Sequence, residues 1–215
     1  MKNIFIDCGH GGNDSGAVGL IIEKDYVLKL GNKVVEKLKK YPCNVFYSRN
    51  TDKYLTLNER VRLSNINNCD VFISIHCNDD DKKQGYGFES FTYSGDSELQ
   101  KVIHNNLVTT LGTKDRGMKK ASFYVLKHTK AKAILLELGF VHNENDCKIL
   151  NDKLDEIADS IVKSLVTVLD LTPSTEKREV FRVLIGSYTI KENAENMIRQ
   201  LEKDGYKPSL IKATI

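Results

Sequence analysis

Ile4-Phe5-Ile6-Asp7-Cys8-Gly9-His10-Gly11-Gly12 begins the chain with a short apolar run that ends at a glycine-flanked histidine. The run predicts a buried strand over residues 2–7, with His10 just beyond its carboxyl end. In open α/β sheets, ligands bind at the carboxyl ends of the strands. Residues 8–22 form a glycine-rich loop that lacks the Lys-Ser/Thr ending of a phosphate-binding loop. We therefore expect His10 to face a site of another kind.

The composition fits one main domain with a small appendage: 215 residues, 40% hydrophobic and 28% charged. A formal net charge of +3 suits work near polyanionic surfaces but is too small to indicate a nucleic-acid-binding protein. No apolar run is long enough to span a bilayer. We expect a soluble globular protein with no nucleic-acid partner and no membrane insertion.

The cysteines and the start of the chain bear on where the protein is made. There are five cysteines and no Cys-x-x-Cys pair, which indicates reduced thiols rather than a disulfide framework. The first predicted strand starts at residue 2, so there is no room upstream for a signal peptide. Both features predict a protein made in the cytoplasm.

Apolar runs and amphipathic segments alternate along the chain as far as residue 168. Thr56-Leu57-Asn58-Glu59 has the pattern of a capping box and predicts a helix start near Leu57. The predicted strands are residues 2–7, 44–48, 70–75, 86–91, 123–126 and 133–136, and the predicted helices begin near residues 23, 57, 97, 144 and 154. This order predicts an α/β fold, with a mostly parallel twisted sheet flanked by helices.

The last part of the chain predicts a small β-α-β segment. Residues 171–179 are polar, contain a proline and lack periodicity, so we interpret them as a linker. They separate a predicted domain of residues 1–170 from a predicted segment of residues 180–215. The expected elements of that segment are a strand at 180–185, a helix capped by Thr189 and Glu192 and stopped by Gly205, and a strand at 206–211.

Four polar residues, His10, Glu23, His76 and Glu137, lie where such a sheet binds ligands. Three of them each follow an apolar run, and Glu23 opens the helix after the glycine-rich loop. Since parallel strands bring their carboxyl ends to one edge, these residues can meet there. Two imidazoles and one carboxylate form a zinc site that leaves a fourth position for water. A second carboxylate outside the ligand set can then move protons.

Each of these residues also has an ordinary structural interpretation. A single histidine at a strand end is commonly a polar boundary residue, and Glu23 suits a helix N-terminus electrostatically. Glu137 is harder to explain this way, because its apolar neighbours predict burial and an unpartnered buried carboxylate is costly. Cys8 and Cys77 lie near the two histidines and are candidate ligands, although we expect buried thiols instead.

From residue 2 to about residue 169 the chain resembles the zinc-dependent N-acetylmuramoyl-L-alanine amidases of the amidase-3 family. The matching stretches include Ser74-Ile75-His76-Cys77-Asn78 and Leu135-Leu136-Glu137-Leu138-Gly139-Phe140, together with residues 4–12, 23–25, 48–52 and 57–60. The resemblance implies that His10, Glu23 and His76 hold Zn²⁺ and that Glu137 is the general base. It also implies hydrolysis of the amide between N-acetylmuramic acid and L-alanine in peptidoglycan.

The chain departs from the family pattern at two positions beside the implied ligands. Cys8 stands where the family usually has proline, and Cys77 where it usually has alanine. Neither change removes a ligand, but either adds a sulfur that could make the site sensitive to oxidation. Arg49 and Arg60 also match the family, and we expect structural roles for them ahead of substrate binding.

The tail resembles half of a SPOR domain, a family that binds peptidoglycan glycan strands. The matching residues are 181–188, 192–194 and 201–206. A full SPOR domain has two β-α-β halves, whereas residues 180–215 supply one and are few for an independent core. We predict that two tails pair across a homodimer; the alternative is a tail that packs on the amidase domain or stays poorly ordered.

The predicted lack of a signal peptide bears on the biological role, because peptidoglycan lies outside the membrane. Phage endolysins accumulate in the cytosol and leave through holin pores, so we predict an endolysin that acts on the cell wall after release. A bacterial autolysin whose signal peptide has been trimmed from the sequence is the alternative.

Two other functions compete with the amidase interpretation. One is a zinc peptidase that cuts inside the stem peptide. The other is a non-catalytic wall-binding module, in which we would expect at least one of the four site residues to be replaced, and none is.

Overall fold

The computed structural model describes residues 1–95, 97–172, 188–205 and 208. The chain divides into two compact units, Met1–Ser174 and Thr175–Ile215. The extent of the linker predicted at residues 171–179 stays a prediction. Among the described residues, no helix is both long enough and apolar enough to cross a membrane.

The first unit is built on a six-stranded sheet. Its strands are β1 (Lys2–Cys8), β2 (Cys43–Tyr47), β3 (Val71–Asn78), β4 (Phe88–Thr92), β5 (Asp115–Lys120) and β6 (Lys132–Phe140). They lie in the order β2-β1-β3-β6-β4-β5. Adjacent strands run parallel except for β4 and β6, which are antiparallel. The predicted α/β class with a mostly parallel sheet is therefore confirmed.

Helices cover both faces of the sheet. The first unit contains α1 (Glu23–Leu38), α2 (Leu57–Ile66), α3 (Glu98–Leu111), α4 (Tyr124–His128), α5 (Glu144–Asp152) and α6 (Leu154–Leu169), and the second unit contains α7 (Lys191–Lys203). Helices α1, α3 and α6 bury the larger apolar cluster against one face. Helices α2 and α4 bury a smaller cluster, centred on Phe5 and Phe72, on the other. The cleft described below opens on this second face.

Local signals in the sequence explain where several helices begin. The predicted capping box is present at α2, where Glu59 N donates to Thr56 Oγ1 at 3.2 Å and Thr56 N donates to Glu59 Oε2 at 2.8 Å. Helix α3 begins after Ser97, whose hydroxyl accepts from Gln100 N at 3.0 Å. These bonds satisfy backbone donors that have no partner inside the helix.

One predicted element of the first unit is wrong, and one strand is missing from the prediction. Residues 123–126 are predicted as a strand, but Tyr124–His128 form α4, because Val125 and Leu126 bury against the smaller core cluster from a short helical turn. Strand β5 is not predicted at all. Its sequence, Asp-Arg-Gly-Met-Lys-Lys, lacks an apolar pattern, which suits its position at the edge of the sheet.

Three boundaries also differ from the prediction. Strands β3 and β6 continue past their apolar runs, so His76 and Glu137 lie inside strands and face each other in the ladder. In the second unit, α7 begins after Ile190 with no side-chain cap, so the predicted cap from Thr189 is wrong. The tail strand predicted at 180–185 lies outside the described residues, as does that at 206–211 apart from residue 208.

Helix α1 lies very close to strand β1 at Gly31. A Cβ atom at this position would lie 2.2 Å from Cys8 Sγ, far inside contact distance. The thiol of Cys8 therefore fills the space that a side chain on α1 would occupy. This contact helps to fix the start of α1, where Glu23 lies, relative to the end of β1, which His10 follows.

We expect Gly31→Ala to lower the free energy of unfolding by about 1–3 kcal/mol, because overpacking a filled site costs that much. In a Cys8→Ala background the clash is removed, and alanine should then stabilise the helix by roughly 0.5–1 kcal/mol relative to glycine. Urea unfolding of the four proteins measures the coupling between the two positions. Equal effects of Gly31→Ala in both backgrounds would contradict the contact.

Candidate metal centre and active site

The backbone around His10 turns sharply to bring the imidazole over the sheet edge. His10 itself has a positive φ of 56°, a conformation that non-glycine residues seldom adopt. Gly9 is required by close packing, since a Cβ atom there would lie 2.3 Å from the His76 ring. The two imidazoles consequently meet edge to face, with ring centroids 5.0 Å apart.

His10, Glu23 and His76 converge on one point. Glu23 Oε1 lies 3.2 Å from His10 Nε2 and 2.9 Å from His76 Nδ1, and one ligand atom from each residue lies within 4.8 Å of the others. Ligands at 2.0–2.1 Å from a tetrahedral zinc ion are separated by about 3.3 Å. The three side chains are thus spaced as a metal ligand set.

Hydrogen bonds fix the Glu23 carboxylate in this position. Oε1 also accepts from Cys77 N at 3.0 Å, and Oε2 accepts from Ala17 N at 2.8 Å. Burial alone would raise the pKa of Glu23, but its bonds to the two imidazoles outweigh burial and lower that pKa below its ordinary value. The same contacts, with Asp14, overcome the effect of burial on His10 and raise its pKa to about 9.

Asp14 orients His10 and was not among the residues predicted from the sequence. Its two carboxylate oxygens lie 3.0 and 2.9 Å from His10 Nδ1. A carboxylate on one ring nitrogen fixes the tautomer and leaves the other nitrogen, Nε2, free to face a metal. The sequence signal that identifies it is an aspartate four residues after a histidine in a glycine-rich loop.

Glu137 lies beside the ligand set rather than in it. It is the direct neighbour of His76 in the β3–β6 ladder, and its Oε2 atom is buried with no hydrogen-bond partner among the described residues. Burial raises the pKa of Glu137 to about 7. Glu137, His10 and His76 line a cleft of about 320 Å³, whose other wall includes Tyr54 and Phe123. An unpartnered carboxyl of this kind suits proton transfer near neutral pH.

Comparison with known proteins identifies the family. The family model described as N-acetylmuramoyl-L-alanine amidase matches residues 4–167. The chain belongs to this amidase family. It is 31% identical to the sporulation-specific N-acetylmuramoyl-L-alanine amidase of Bacillus subtilis (strain 168), over 96% of this chain and 83% of that protein. It is 34% identical to the endolysin of Bacillus phage SPP1, over 79% of this chain and 67% of the endolysin.

A solved amidase structure has the same fold. The catalytic domain of the amidase CwlV from Bacillus (Paenibacillus) polymyxa var. colistinus superposes with a TM-score of 0.77 and 32% identity. The match covers 80% of this chain and all of that domain. The sequence-based recognition of the amidase family is thus confirmed.

The two cysteines next to the predicted histidine ligands lie in the core. Cys8 and Cys77 are buried in the larger apolar cluster, on the helix α1 side of the sheet. Burial raises the pKa of the Cys8 thiol to about 12 and that of Cys77 well above its ordinary value. Since thiolates are the form that binds metals and oxidises, both thiols are held in an unreactive state.

Arg49 and Arg60 hold the backbone of the His10 loop. Arg49 donates to the carbonyl oxygens of Cys8 and Gly9 at 3.1 and 2.7 Å. Arg60 donates to Cys8 O at 2.6 Å, to His10 O at 2.7 Å and to Asp7 Oδ1 at 2.8 Å. Both side chains are buried, so these bonds act as a brace under the loop.

We expect Arg60→Met to lower the free energy of unfolding by about 3–5 kcal/mol, because it leaves the buried Asp7 carboxylate without its partner. Arg62→Met, an exposed arginine on the same helix, should change stability by less than about 0.5 kcal/mol. Chemical denaturation measures both. If Arg60→Met keeps wild-type stability but weakens substrate binding, Arg60 is a substrate contact and not a brace.

Proposed function

We propose that this protein is a zinc-dependent amidase that hydrolyses the bond between N-acetylmuramic acid and L-alanine in peptidoglycan. The observation that carries the proposal is the meeting of His10, Glu23 and His76 beside the unpartnered Glu137 in one cleft. Membership of the amidase family supplies the bond and the substrate.

The donor set supports zinc as the metal. Two imidazole nitrogens and one carboxylate oxygen are ligands that zinc accepts in catalytic sites. When bound, zinc supplies an activated water and polarises a carbonyl oxygen. Asp14 holds the His10 ring with Nε2 directed at the site, and the Ala17 and Cys77 amides hold Glu23.

Glu137 carries the proton. Its carboxylate takes a proton from the attacking water and delivers it to the nitrogen of the leaving L-alanine. A pKa of about 7 allows the carboxyl to do both at neutral pH. The aromatic and apolar wall of the cleft, which includes Tyr54 and Phe123, limits access of other water to the reacting bond.

We expect Glu137→Gln to lower the turnover of purified cell walls at least about 100-fold, because it removes the proton carrier. The zinc content should stay at the wild-type level, since Glu137 is outside the ligand set. Glu144→Gln, an exposed glutamate, is the matched control and should leave turnover unchanged. A chelator should abolish wild-type activity, and added zinc should restore it.

The products distinguish this activity from its rivals. The amidase releases intact stem peptides that begin with a free L-alanine amine and leaves the glycan strands unbroken. Cleavage inside the stem peptide would instead indicate a stem-peptide peptidase, and the absence of any cleavage would indicate a non-catalytic wall-binding module. Full activity of Glu137→Gln would overturn the mechanism.

For the tail we propose that two copies pair across a homodimer, each supplying half of a SPOR-like sheet that binds glycan. Helix α7, in the described part of the tail, is amphipathic: Ala194, Met197, Ile198 and Leu201 lie on one face, where Ala194 is buried and the other three are partly buried. The match to the sporulation-specific amidase covers 96% of the chain, so it extends beyond residue 174.

Size-exclusion chromatography with light scattering on the full chain measures pairing. We expect a mass of about twice 24.3 kDa, and a Leu201→Asp variant should return to the monomer mass because it buries a charge in the pairing face. Lys203→Asp, at the exposed end of the same helix, is the control. A wild-type mass equal to the monomer would rule out pairing.

The endolysin role stays a prediction. The match to the phage endolysin covers 79% of the chain, whereas the match to the sporulation-specific amidase also includes most of the tail. This difference favours a second candidate role, that of a bacterial amidase acting on the wall during sporulation.

A further inference from the structure

Two partly exposed cations lie beyond Glu137 on the same face of the sheet. Arg116 and Lys119 belong to β5, and both pair with one carboxylate, that of Glu89 on β4. Arg116 Nε lies 3.1 Å from Glu89 Oε2, and Lys119 Nζ contacts the same oxygen. The Glu89 side chain is 6% exposed, against 29% and 40% for Arg116 and Lys119. Because two cations share one carboxylate, the cluster keeps a net positive charge.

The strand register joins this cluster to the active site. Glu89 lies directly opposite Glu137 in the β4–β6 pair, and Glu137 lies directly opposite His76 in the β3–β6 pair. Directly opposed side chains share a face, with Cβ atoms about 4.5–5.5 Å apart. His76, Glu137 and Glu89 therefore form a row across three strands, and Arg116 and Lys119 continue it on the fourth.

Both cations have N–H groups that do not bond to Glu89. Arg116 uses Nε for Glu89 and Nη1 for Tyr86 O at 3.4 Å, out of the five N–H groups of a guanidinium. Lys119 has three N–H groups, and its ammonium also lies 5.8 Å from the centre of the Phe91 ring. An anion can bind to these groups while Glu89 stays paired, and charge-assisted bonds of this type are the strong ones.

We propose that Arg116 and Lys119 bind a carboxylate of the stem peptide, on the leaving-group side of the bond cleaved beside Glu137. The proposal rests on the amidase function proposed above. Charge complementarity selects the peptide, because the peptide carries carboxylates and the glycan next to the scissile amide offers mainly hydroxyl and acetamido groups. The opposite wall of the cleft, with Tyr54, Phe123 and Tyr124, has the aromatic surface that suits a sugar.

The test compares two forms of soluble muramoyl-peptide fragments, one with free carboxylates and one with the carboxylates converted to primary amides. Wild type should have a KM about tenfold lower for the form with free carboxylates. A factor of about ten is the effect on affinity that one charge-assisted hydrogen bond would have. Lys119→Met and Arg116→Gln should each lose most of this preference. Any change in kcat should be the same for the two forms, because neither residue touches the reacting bond, and the preference between the forms should be lost in KM.

Lys120→Met is the matched control. Lys120 is the next residue of β5, and its register partner Thr92 bonds to Gln100 of α3, so Lys120 belongs to the opposite face. This variant removes the same charge and should keep the wild-type preference. Equal KM values for the two substrates in wild type, or a preference that survives in both cleft-face variants, would overturn the subsite. Failure of wild type to cleave either substrate would overturn the amidase function, and the subsite with it.

Discussion

A buried ion pair between Asp7 and Arg60 holds the end of β1 in the conformation that directs His10 toward the candidate metal site. Asp7 accepts from Arg60 at 2.8 Å and from Ser74 Oγ at 2.8 Å, so both its oxygens are occupied. Arg60 also donates from Nη1 to Cys8 O and from Nη2 to His10 O, the carbonyl oxygens on either side of the turn. A positive φ at His10 is strained, and it persists because this brace determines the path of the backbone.

The rest of the site follows from the alternation of side chains along strands. At the end of β3, His76 faces the cleft while its neighbour Cys77 faces the core, because successive side chains point to opposite faces. The parallel pairing of β3 with β6 then puts Glu137 next to His76 at the same height. A one-residue change of register would move Glu137 to the core side, so the sheet itself keeps Glu137 beside His76.

The sequence predicted those parts of the fold and site that depend on apolar runs and local signals. Strand β1, the capping box at α2 and the four residues His10, Glu23, His76 and Glu137 all come from such patterns. Strand β5 could not be found this way, because an edge strand paired on one side needs no apolar face. Helix α4 was mistaken for a strand, since a short apolar run has no periodicity that separates the two.

The neighbouring carboxylates Glu89 and Glu137 illustrate how one sheet produces two chemical roles. They lie directly opposite each other, an arrangement in which two negative charges repel. Burial tends to raise both pKa values, but Glu89 has Lys119 and Arg116 as partners, and its pKa falls below the ordinary value. Glu137 has no hydrogen-bonded cation of this kind, so burial outweighs the lowering of its pKa by His76 and His10, and the charges of Glu23 and Glu89 add to the rise.

The difference in partners therefore separates the pKa values of the two carboxyl groups. Glu89 stays ionised, and Glu137 can gain and lose a proton near pH 7. Environments that push the pKa values of paired carboxyls apart are how such pairs divide acid–base work. The same cations that keep Glu89 charged also have N–H groups that Glu89 does not use. The cluster thus links the charge state of the base to the surface on which the leaving peptide would lie.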